Sequence, residues 1–218
     1  LAFTGAIILG LELIASRILT PFFGVSLNVW SSILAVTLIG LAIGYKFGGY
    51  LSNRLSSRYL LIYYIGCGAI SAAWMNIASY TYPQVLSILS TWDFVSGSIA
   101  ACIYILFIPL VVLSSLNSAL VALLSVSNKE NTSDSDHKTG HVFFVSTIGS
   151  VIGVFIVTYS LIPNYSNFAS YAILSSISAA ITFFLALLSQ DLLRTPKIAL
   201  SITGMIMVLI ATTTVVNG

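Results

Sequence analysis

The sequence predicts an all-α integral membrane protein, a single bundle of about seven transmembrane helices occupying residues 1–218. Three observations predict it. The chain is 58% hydrophobic and only 6% charged, against about 25% charged residues in a soluble domain. Too few polar side chains exist to cover a water-facing surface, so the solvent is lipid. Apolar runs of roughly 20 residues recur, the length that crosses a bilayer as helix. No ten-residue alternating segments of the β-barrel kind occur.

The spans follow in order. The first, about 1–20, is expected to end before Pro21, because the residue before a proline is driven out of helix. The second, about 29–51, carries Gly40, Gly44 and Gly48 at four-residue spacing. Those positions form one side-chain-free stripe, so a second helix is expected to approach backbone to backbone. The third, about 59–82, is expected to close at Pro83, with 84–94 lying amphipathically at the interface. The fourth runs over about 95–126. At 1.5 Å per residue it is ~48 Å long against a hydrocarbon core of ~30 Å, so a kink is expected near Pro109.

Residues 128–140 form the one clearly hydrophilic segment and are expected to be a solvated loop. The fifth span, about 141–162, carries Gly149 and Gly153, a second close-packing pair expected to face the stripe of the second span. The sixth covers about 166–190 and the seventh about 198–216. Basic residues collect after even-numbered spans: Arg54 and Arg58, Lys129 and Lys138, Arg194 and Lys197. The positive-inside rule then places the N-terminus in the cytoplasm of a multi-pass cell-membrane protein. The chain starts at Leu1 and stops in an apolar run, which fits a piece of a longer protein.

Few residues carry chemistry. Glu12 and Arg17 are the charges set deepest in apolar sequence, and a charge at bilayer depth costs ~2.5–3.5 kcal/mol on insertion scales, so each is expected to face the bundle interior. Five residues apart is 500° of helix, so they point about 140° away from each other and seek different partners. Glu12 is a candidate counter-ion for a cationic ligand or a proton carrier, or else a charge that holds the bundle together. Trp30 and Asn117 complete the candidate ligand set, although an amide such as Asn117 is by default inter-helix glue worth ~0.6 kcal/mol. Cys67 and Cys102 fall inside spans and are expected to be buried thiols. His137 and His141 lack metal-site companions, so no metal is expected. No nucleotide loop, serine-hydrolase elbow or zinc-protease motif occurs, so no cofactor is expected. The basic residues sit in inter-helix loops, so no nucleic-acid partner is expected.

The residues Gly5, Gly10, Leu11, Glu12, Arg17, Phe23, Gly24 and Trp30 resemble the opening of the membrane domain of spermidine synthase-like proteins, also described as fused major-facilitator/spermidine synthases. GLAIGYKFGGYLSNR is similar to that family's glycine-rich helix end with its basic loop, and GHVFFVSTIGSVIGVFIVTYSLIP to a later block. The three blocks lie in order over residues 5–163. The glycine loop also resembles that of major facilitator transporters, but Asn53 stands near where those carry an aspartate, and their twelve spans are not reached. The resemblance implies longer relatives with a downstream aminopropyltransferase domain. That domain's nucleotide motif is absent here. The chain is therefore expected to be a non-enzymatic membrane module that anchors a catalytic domain or partner and binds or passes a small cationic amine. An accessory subunit of a larger membrane complex and a small oligomeric transporter are the alternatives.

Overall fold

The computed structural model describes residues 2–55, 57–126 and 132–188, and every regular element among them is helical. Helix α1 is Ala2–Phe23, α2 is Leu27–Arg54 and α3 is Ser57–Leu89. The next rod, α4, runs continuously over 94–126, with a π-helical turn at Ile103–Phe107. Rod α5 runs over 132–164 with a π turn at Val157–Leu161, and α6 is Asn167–Leu188. Six rods, not seven, therefore make up the described residues. The predicted seventh span, 198–216, lies outside them, as do Lys129, Arg194 and Lys197.

Among the described residues, four helices are long and apolar enough to cross a bilayer: Ala2–Phe23, Leu27–Ser52, Phe94–Ala119 and Phe144–Asn164. The chain is thus a helical protein of a lipid environment. Helix α3, at 33 residues, is longer than each of these segments.

Several helix ends differ from expectation. Pro21 sits inside the last turn of α1, and Pro83 lies within α3, which continues to Leu89. A proline removes one ladder bond, and a long apolar helix packed among neighbours tolerates that loss. The expected interfacial helix at 84–94 is therefore the end of α3 plus a turn at 90–92. Rod α5 starts at Thr132 rather than near 141, so part of the hydrophilic segment is helical, including His137.

Packing is by pairs. Helix α2 lies along α4, α1 along α5 and α3 along α6. The glycine stripe of α2 meets α4 and not α5. A Cβ at Gly40 would lie 3.3 Å from Leu110 Cβ, one at Gly44 would overlap Ser114 Oγ and the Val111 carbonyl, and one at Gly48 would overlap the Ser115 backbone. Gly149 and Gly153 instead face Ala2 and Ala6 of α1. Gly44 and Gly48 thus meet Ser114 and Ser115, and Gly149 and Gly153 meet Ala2 and Ala6, small residues that admit the same close approach.

The two close pairs are parallel, because residue numbers rise together along each contact. The third pair is antiparallel: Ser175 Oγ donates to the Ala72 carbonyl at 2.8 Å, and Phe168 stacks edge-on against Tyr80. Inside lies a core that includes Leu11, Ile14, Leu19, Leu106, Leu110 and Met75, with Cys67 and Cys102 buried as free thiols.

Helix α4 continues through Pro109, where a kink was expected, and the π turn of Ile103–Phe107 stands just before this proline. In α-helical register its missing N–H would serve the Ile105 carbonyl, and in π register the Tyr104 carbonyl. Both carbonyls have side-chain donors: Tyr171 Oη reaches Ile105 O at 2.7 Å, and Trp74 Nε1 reaches Tyr104 O at 3.1 Å. The break in the ladder is therefore closed by α6 and α3.

Candidate functional site

Glu12 lies midway along α1, beside a face of Leu11, Ile14, Ala15 and Ile18 that is fully buried. The hairpin to α2 turns at Gly24, whose φ of +70° is a left-handed conformation that favours glycine. Ser26 then caps α2 by accepting from Val29 N at 3.3 Å. Counting from Gly24, Glu12 is twelve residues back and Thr37 thirteen forward. Both therefore sit ~18 Å from the turn at 1.5 Å per residue, near the middle of a ~30 Å core.

Glu12 is half-buried, and the group it interacts with is the Thr37 hydroxyl. Thr37 is 4% exposed, and its Oγ1 closes no hydrogen bond in this conformation. The hydroxyl and the carboxylate thus approach each other without a completed bond. Among the described residues Glu12 forms no ion pair. The arrangement is a carboxylate and an orphaned hydroxyl at mid-depth, both able to accept a hydrogen bond from a cation.

The other predicted residues lie elsewhere. Arg17 points away from Glu12, as the 500° of helix between them demands, and its Nη1 donates to the Tyr165 carbonyl at 2.9 Å in the turn between α5 and α6. Asn117 accepts from Thr4 Oγ1 at 2.6 Å, joining α4 to the start of α1, two turns from Glu12. Trp30 is 43% exposed on the first turn of α2. Lys46 is also exposed. The structure brings none of Arg17, Trp30 or Asn117 to the carboxylate. Thr37, the residue that does meet it, is a lone hydroxyl in an apolar run, and only the symmetry of positions 12 and 37 about Gly24 marks it in the sequence.

No family model, curated protein or solved structure matches this chain.

Proposed function

We propose that the chain is a non-enzymatic membrane module of a spermidine synthase-like protein, in which Glu12 and Thr37 receive a small cationic amine. The observation that carries this reading is the half-buried carboxylate at mid-depth, with no cationic partner among the described residues and an orphaned hydroxyl beside it. A carboxylate in low dielectric is costly alone, and an ammonium bound there offsets the desolvation of both groups. In this reading the N-terminus is cytoplasmic, span 198–216 completes a seven-helix bundle, and a catalytic domain or partner docks on the module.

The test is equilibrium binding of putrescine and spermidine to the purified protein in nanodiscs. Saturable binding is expected, weakened about tenfold in Glu12→Gln, since a charge-assisted bond is about twice as strong as a neutral one. Thr37→Val is expected to have a smaller effect in the same direction. Absence of binding, or equal binding by Glu12→Gln, overturns the amine reading.

The accessory-subunit reading then takes its place. It is favoured by rod α5, whose outer face leaves Phe144, Ile148, Val151, Ile152, Phe155 and Ile156 exposed. A companion protein co-purifying in fixed stoichiometry, and lost when Ile152 and Phe155 are replaced by polar residues, is its expected signature.

A further inference from the structure

A second polar region lies at the opposite face of α1, away from Glu12. A cavity of ≈ 270 Å³ opens between the end of α3 and the start of α6, lined by Ser79, Tyr80, Tyr82, Pro83, Ser166 and Phe168. Three polar atoms on these stretches of α3 and α6 are buried without a partner: Tyr80 Oη, whose residue lines the cavity, and Asn167 Oδ1 and Ser170 Oγ, whose residues are not part of its lining. Ser170 is 0% exposed. Buried polar groups are nearly always paired, so three orphans on adjoining turns of two packed helices mark a place built for something else to bind. The Tyr80 ring is held by Phe168, edge-on at 4.9 Å between centroids.

Arg17 supplies charge to the same region. Its guanidinium donates to the carbonyl of Tyr165, the neighbour of Ser166, and lies within electrostatic reach of Tyr82. One of its five N–H donors is thus used. Among the described residues no carboxylate pairs with it. Asp93 occupies the same end of the bundle, but its Oδ2 accepts from Val95 N at 3.3 Å as the cap of α4. Helix α6 begins here as well. Ser166 Oγ accepts from Ala169 N and Ser166 O from Ser170 N, while the N–H groups of Asn167 and Phe168 belong to the open first turn. That end carries partial positive charge.

From this we infer that the α3–α6 cavity, with Arg17 at its rim, binds a phosphate-type oxyanion. Arg17, the Tyr80 hydroxyl and the first turn of α6 provide donors from several directions, which is the demand of a tetrahedral anion. Asn167 presents Oδ1 in the present orientation, and a half-turn of its amide presents Nδ2 instead. The cavity opens at the turn between two apolar rods, the level at which a bilayer holds its headgroup phosphates. The same chemistry is offered by inorganic phosphate in solution.

The experiment places the purified protein in phosphatidylcholine nanodiscs, alone, with phosphatidylglycerol added, or with inorganic phosphate. Thermal midpoint and lipid retention by native mass spectrometry are read. A rise in midpoint with phosphatidylglycerol, reduced about tenfold in apparent affinity by Arg17→Gln, supports the site and assigns a lipid headgroup. An Arg17-dependent response to inorganic phosphate supports it and assigns a free anion. Tyr80→Phe keeps the ring and removes only the hydroxyl. It is expected to weaken either response about threefold, and it decides the matter if Arg17→Gln fails to fold. Lys46→Gln, at the other end of α2, is expected to leave the response intact. No response to either probe overturns the inference, as does a response unchanged in Tyr80→Phe, or one lost in Lys46→Gln and kept in Arg17→Gln.

Discussion

Gly48→Ala is expected to destabilise the bundle by at least ~2 kcal/mol, close to thirtyfold in the folding equilibrium, measured by denaturation in detergent with helicity as the signal. The cause is steric. An added Cβ would lie 2.8 Å from the Ser115 carbonyl carbon and 2.9 Å from its Cα, with the carbonyl oxygen closer still. All three are backbone atoms of α4, so no rotamer change relieves the overlap and the two rods must separate. Separation forfeits the dispersion contacts along the α2–α4 seam, and no hydrophobic effect drives the helices back together in lipid. It also strains the bond from Ser118 Oγ to the Tyr45 carbonyl. The sign is informative, because Ala is otherwise the better helix former by ~1 kcal/mol. Gly66 of α3 provides the control: a Cβ there meets nothing within 4 Å. Gly66→Ala is therefore expected to stabilise the protein by ~0.5–1 kcal/mol. Gly40→Ala, with Leu110 Cβ at 3.3 Å, should fall between the two. If Gly48→Ala and Gly66→Ala move the unfolding transition the same way, the close crossing of α2 on α4 is not what holds this pair.

The stripe itself was legible, because a four-residue glycine repeat needs only helical periodicity to be seen. Its partner was not. Gly149 and Gly153 form the more obvious match for Gly40, Gly44 and Gly48, yet close approach asks only for small side chains. Ser114 and Ser115 meet the requirement on one side, and Ala2 and Ala6 on the other. The divergence of Glu12 and Arg17 was likewise legible from rotation alone. That Trp30 and Asn117 stand apart from Glu12 was not, since it depends on the depth at which each rod is set against α1. The prolines misled for a local reason. Pro21 and Pro83 break one bond each, and sequence gives no view of the neighbouring helices that make such a break tolerable. Pro109 was expected to kink α4, and a π turn precedes it; nothing nearby in the sequence named Tyr171, more than sixty residues on, as the group that answers the missing N–H.

That answer carries the second large effect. Tyr171→Phe is expected to cost ~2 kcal/mol, because it leaves the Ile105 carbonyl buried and unpaired while preserving the ring. Tyr171 is 1% exposed and Ile105 also 1%, so no water takes the place of the hydroxyl. The cause is tested by a double-mutant cycle with Pro109→Ala. Alanine restores an N–H that Ile105 O accepts once the π turn relaxes to α-helix. In that background Tyr171→Phe should cost less by ~1 kcal/mol or more, a coupling of the size seen between residues sharing one hydrogen-bond network. Trp74→Phe, which frees the Tyr104 carbonyl, should couple to Pro109→Ala in the same direction. Equal costs in both backgrounds would detach the tyrosine from the proline and leave the π turn without this origin. The consequence reaches the candidate site. Ile105 is eleven residues into α4 and Glu12 eleven residues from the end of α1, so both stand ~17 Å from the same end of the bundle. The hydroxyl that closes the break in α4 therefore fixes the helix wall at the depth of the embedded carboxylate, and loosening it should weaken the proposed amine binding without any change at Glu12 itself.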